Sequence, residues 1–94
     1  MKHDIDQDQF ESLLVDIREL TETNCHGEAL ERVAAFLNDK QLVKAFEAIN
    51  TLHLTVGYLS EPISELRNFF YAMMLERIRM KHGEEARKAV YDCL

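Results

Sequence analysis

Cys25 and His26 stand side by side, and with His53 and His82 they are the side chains that could bind a metal or carry nucleophilic chemistry. Adjacent residues chelate a single ion poorly, and neither a Cys-x-x-Cys nor a His-x-x-x-His pair occurs. A metal centre would require Cys25, His26, His53 and His82 to converge from different helices, so none is expected, and no cofactor either. Nucleophilic catalysis would draw on Cys25 or Ser60, both at expected helix starts, where the dipole favours an anion. Ser60 already has an ordinary use as a helix cap, and Cys25 as a loop residue. The three glycines lie too far apart to cradle a phosphate. The carboxylates fall on helices, where solvated charge is their usual purpose. The chain is not expected to be an enzyme.

Charge is distributed unevenly. The net charge is −6, yet residues 1–31 hold nine acidic and two basic side chains, and residues 32–94 hold eight and nine. Such a balance disfavours DNA, RNA and anionic lipid, which bind through phosphate neutralisation. It permits a basic protein partner. Asp4, Asp6, Asp8, Glu11, Asp16, Glu19 and Glu22 form a candidate acidic face. That face could make the chain an inhibitor protein, docking on a target surface built for nucleic acid. Arg77, Arg79, Lys81, Arg87 and Lys88 are the one basic concentration, interleaved with Glu76, Glu84 and Glu85. It reads either as a salt-bridged solvated surface or as a patch facing the acidic first helix of a second subunit.

The elements that must position these groups are helices. Ninety-four residues suit one domain, 1–94, and one proline with three glycines argues for long helices and short joints. The pattern predicts an all-α bundle of four to five helices over about 6–22, 27–37, 39–57, 61–81 and 84–93. Asp6 with Gln9, and Asn38 with Gln41, have the spacing of capping boxes. Phe10, Leu13, Leu14, Ile17 and Leu20 make an amphipathic stripe. Leu42, Ala45, Phe46, Ile49, Leu52, His53 and Val56 repeat in a three-four rhythm, although 51–56 also has some strand character. Ser60 and Pro62 open the fourth helix, and Gly83 either breaks the chain or is passed through. In the last helix Ala86, Ala89, Val90 and Cys93 are expected to face inward. Residues 81–94 resemble the second helix of a tetratricopeptide repeat, with Ala86, Val90 and Cys93 at the small, packed positions. This covers less than one repeat and implies no function.

Met1-Lys2-His3-Asp4-Ile5-Asp6 is polar and acidic, unlike a secretion signal, and no apolar run is long enough to cross a membrane. A cytoplasmic protein with free Cys25 and Cys93 is expected. Its most unusual stretch is Phe69-Phe70-Tyr71-Ala72-Met73-Met74-Leu75, seven residues without a charge. A helix apolar all round must be wrapped by its neighbours or share a side with a partner. Phe69, Phe70, Tyr71, Met73, Met74 and Leu75 are therefore the candidate partner-binding residues. The expected function is a small interaction module, whether adaptor, chaperone or regulator, that docks a protein partner, itself or another, with a homodimer expected.

Overall fold

The computed structural model describes residues 5–57 and 60–93, with the backbone alone at 56 and 57. Five helices pack on one another, and no strand occurs among the described residues.

Helix α1 (Gln7–Arg18) begins with the expected box. The Asp6 carboxylate accepts from the Gln9 N–H at 2.8 Å, and the Gln9 side-chain oxygen accepts from the Asp6 N–H at 3.1 Å. Phe10, Leu13 and Ile17 are buried. The helix ends earlier than residue 22 because Thr21 offers the backbone an alternative: its hydroxyl accepts from the Asn24 N–H at 3.2 Å. Helix α2 (Gly27–Ala34) also stops short of its expected end, although Leu37 beyond it is still buried.

Helix α3 (Asp39–Leu52) carries the second box. Asn38 accepts from the Gln41 N–H at 2.9 Å, and the Gln41 oxygen accepts from the Asn38 N–H at 3.1 Å. Gln41 is buried, and this bond satisfies its carbonyl oxygen. The stretch with strand character becomes a π-helical turn, His53–Gly57. There the Thr55 hydroxyl donates to the carbonyls of Thr51 and Leu52 at 3.0 and 3.1 Å.

Helix α4 (Glu61–His82) has Pro62 in its first turn, but Ser60 does not cap it as the sequence suggests. The Ser60 carbonyl accepts from the Ser64 N–H at 3.0 Å. Its hydroxyl is buried and has no hydrogen-bond partner among the described residues. Gly83 does break the chain, at φ 93°, and α5 (Glu84–Cys93) follows directly.

Side-chain pairings set the directions. Ser64 meets His53, Arg67 meets Asn50, and Arg77 meets Asp39, so α3 and α4 run antiparallel. Helix α1 packs on α3, and α2 and α5 pack on α4. The result is a slab of 38 × 33 × 17 Å, whose short dimension fits two helix layers at 8–10 Å spacing.

Helix α4 is central because three helices lie against it, and its uncharged run is divided among them. Phe70, Met74 and Leu75 are buried, Phe69, Tyr71 and Met73 are half-buried, and Ala72 is exposed. Each fully buried side chain of this size contributes about 1.5–3 kcal/mol. Helix α5 departs from expectation: it has no buried residue, Ala86 and Val90 are half-buried, and Ala89 and Cys93 are exposed. It touches α4 without a second helix to close over it.

Candidate interaction surface

The residues with chemical potential do not converge. Cys25 is half-buried just before α2, where burial pushes its thiol pKa up and a hydrogen bond from the Gly27 N–H opposes that shift. A raised pKa is the reverse of what an activated thiolate needs. His26 occupies the N-cap position of α2 without a side-chain cap bond. His53 Nδ1 lies 3.3 Å from the Ser64 hydroxyl, pinning the π-turn to α4. His82 is exposed at the end of α4. Among the described residues no group of three His, Cys, Asp or Glu side chains could hold a metal ion.

Four of the five residues in the basic concentration form ion pairs, and Lys88 is exposed. Arg79 bonds Glu76, and Arg87 bonds Glu84, one turn apart on their own helices. Lys81 reaches across to Asp39. Arg77 has a different role from the surface charge expected of it. Its guanidinium donates to the carbonyl oxygens of Ala34, at 3.0 Å, and Leu37, and also reaches Asp39 at 3.4 Å. These carbonyls belong to the end of α2 and the turn after it, where Ala34 also accepts from the Leu37 N–H at 3.2 Å. Arg77 therefore caps α2 from α4, placing a cation at the negative end of a helix.

Lys81 first, and Arg77 after it, hold the Asp39 carboxyl below its ordinary 3.8. The folded pKa is thus lower than the unfolded one, so the pair stabilises above pH 3.8 and its contribution disappears as pH falls through the folded value. Asp39 is 47% exposed, so screening keeps the effect small. Urea midpoints of wild-type and Asp39→Asn protein should differ at pH 6 and converge at pH 2.

Beside this ionic cluster runs an aromatic column. Tyr71 stacks on Phe46 at 5.6 Å and on Tyr91 of α5 at 6.3 Å. The Arg67 guanidinium lies 5.5 and 5.1 Å from the Phe46 and Tyr71 ring centres, within cation–π range. Tyr71 is thus committed largely to internal contacts.

Phe69 and Met73 share another stripe of α4, half-buried, and Met80 continues it at 74% exposure. Met80 was not among the candidates read from the sequence, since it stands between Arg79 and Lys81 and belongs to no apolar run. Phe36, 49% exposed, lies in the turn that Arg77 clasps. Of the acidic candidates, Asp4 lies outside the described residues, and Asp6, Asp8, Glu11, Asp16, Glu19 and Glu22 are all exposed. Asp6 is used as a cap. No helix is long and apolar enough to cross a membrane among the described residues. Comparison with protein-family models, with curated proteins and with solved structures finds no match to the chain.

Proposed function

We propose that the chain is a small protein–protein interaction module, an adaptor or regulator, that pairs with a second copy of itself through one stripe of α4. The observation behind this reading is the alignment of Phe69, Met73 and Met80. At helical pitch these three positions fall within about 40° of one another around the axis. Two are half-covered and the third is open. Aromatic and Met side chains are enriched at interface cores, and Met adapts its shape to what it meets. Ala72 beside the stripe is exposed and small, which lets a second backbone approach. Glu76 lies within the stripe, but Arg79 already neutralises it. A two-fold pairing uses the same stripe twice and closes as a dimer. The reading places the chain in the cytoplasm, where Cys25 and Cys93 stay reduced.

Light scattering after size exclusion, at tens of micromolar, is the test. Wild-type protein should elute as a dimer. Met80→Lys alters a side chain with little packing to lose, and should yield a folded monomer. A wild-type monomer, or a dimer indifferent to Met80→Lys, would reject the reading.

A further inference from the structure

Along one side of α4, Pro62, Glu65, Phe69, Ala72, Glu76 and Arg79 follow one another at alternate spacings of three and four. That is the heptad rhythm by which two helices pack side by side, and the Phe69 stripe lies along this seam. Phe69 is half-buried and the other five are exposed, so no described helix covers the seam. We propose that two copies of the chain meet along it antiparallel, with the two-fold axis passing at Ala72. The arrangement rests on the self-pairing proposed above and adds its direction and register.

Charge sets the direction. In a parallel pair each residue meets its own twin across the axis, so Glu65 would face Glu65 and Glu76 would face Glu76. Like charges set opposite each other oppose association. Glu65 forms no ion pair with any described residue, so its own chain supplies no counter-charge. Turning one copy end for end about Ala72 removes the conflict. Glu65 stands seven residues before that axis and Arg79 seven after it, so each Glu65 comes opposite the other copy's Arg79, twice by symmetry. Arg79 already donates to Glu76, through Nε at 3.0 Å and through its terminal nitrogen. A guanidinium carries five donors and can hold a second carboxylate as well. Glu76 itself comes opposite Asn68, an exposed amide that can donate to it. The apolar side chains fall into the same register. Phe69 lies beside the other copy's Met73, and Met80 beside its Pro62. Ala72, the smallest side chain of the seam, stands where the two helices cross.

Disulfide cross-linking tests the arrangement, because the bond forms only where two Cα atoms come within about 4.4–6.8 Å. Cys25→Ser with Cys93→Ser removes the native thiols, and Glu65→Cys, Ala72→Cys and Met80→Cys are added to it singly, all at exposed positions. Each protein is oxidised alone, and Glu65→Cys is also oxidised after mixing with Met80→Cys. Non-reducing gels should show a covalent dimer for Ala72→Cys alone and for the mixture, but not for Glu65→Cys or Met80→Cys by itself. A parallel pair gives the reverse pattern, each single variant linking to its own twin. An independent measurement leaves the cysteines in place. Glu65→Lys sets a cation against Arg79 in both contacts and should weaken the dimer about tenfold by sedimentation equilibrium. In a parallel pair the same change exchanges one like-charge contact for another and leaves the dissociation constant as it was. Cross-linking of Glu65→Cys or Met80→Cys alone, no product from the mixture, or full affinity of Glu65→Lys would overturn the antiparallel arrangement while a dimeric wild type keeps the self-pairing. A wild type that is monomeric by light scattering would remove both.

Discussion

Replacing Arg77 with methionine should lower the stability of the chain by about 3 kcal/mol, at the upper end for a single substitution. The side chain is 24% exposed and joins three elements. It donates to Ala34 and Leu37 from α4, and reaches Asp39 at the start of α3. Methionine keeps most of the aliphatic stem, so the loss isolates the guanidinium. The Ala34 carbonyl keeps the Leu37 N–H, so the loss falls hardest on the part-buried Leu37 carbonyl, and an unmet buried acceptor costs more than an exposed one. Arg77→Lys should recover less than half the loss, because an ammonium is a single point donor and cannot bridge two carbonyls and a carboxylate at once. Urea denaturation followed by circular dichroism gives both numbers, and the melting temperature of the methionine variant should fall by roughly 15 °C. A loss below about 1 kcal/mol would mean that water replaces the clasp at little cost.

Arg77 also marks where sequence reasoning reaches its limit. The caps were legible because their chemistry is local: Asp6 with Gln9 and Asn38 with Gln41 need only a three-residue spacing. The stripes of α1 and α3 were legible for the same reason, whereas the sequence left open whether Gly83 breaks the chain, since a glycine between two helical patterns fits a joint or a continuous helix. Arg77 falls three residues after Met74 and seven after Phe70, on the buried stripe of α4, which was the available hint. What it bonds depends on α2 ending opposite it, and that is a property of the fold. The outward position of Ala89 and Cys93 has the same origin: an amphipathic pattern shows which face is apolar, not whether a neighbour exists to cover it. Two of the three residues of the proposed pairing stripe, Phe69 and Met73, stand in the uncharged run. Met80 was hidden by its charged neighbours.

Gly83→Ala is expected to change the shape of the molecule rather than only its stability. Gly83 sits at φ 93° and ψ 172°, a region that only glycine enters readily, and holding alanine there costs about 1–3 kcal/mol. No atom lies within 4 Å of where the new methyl would go, so the cost is torsional and not a clash. Two routes relieve it. The chain can absorb the strain and stay closed, or residue 83 can turn helical and fuse α4 and α5 into one rod. Fusion needs little reorganisation at the joint, since the Gly83 N–H already donates to the Arg79 carbonyl and the Gly83 carbonyl accepts from the Arg87 N–H. What holds α5 closed is modest: the Tyr71–Tyr91 stack and the half-burial of Ala86, Arg87 and Val90. An aromatic pair is worth about 0.5–1.5 kcal/mol beyond its buried area, which is comparable to the strain. The open form should therefore become populated, exposing the Tyr71 side of α4 to the α5 of another chain and giving an exchanged dimer. Solution scattering should report a radius of gyration above the 13.3 Å Cα value of the closed chain. The dimer should persist when Met80→Lys is added, because the exchange does not use the Phe69 stripe. A Gly83→Ala protein that keeps the closed radius and loses only the strain energy would show that α5 is held more firmly than its contacts suggest.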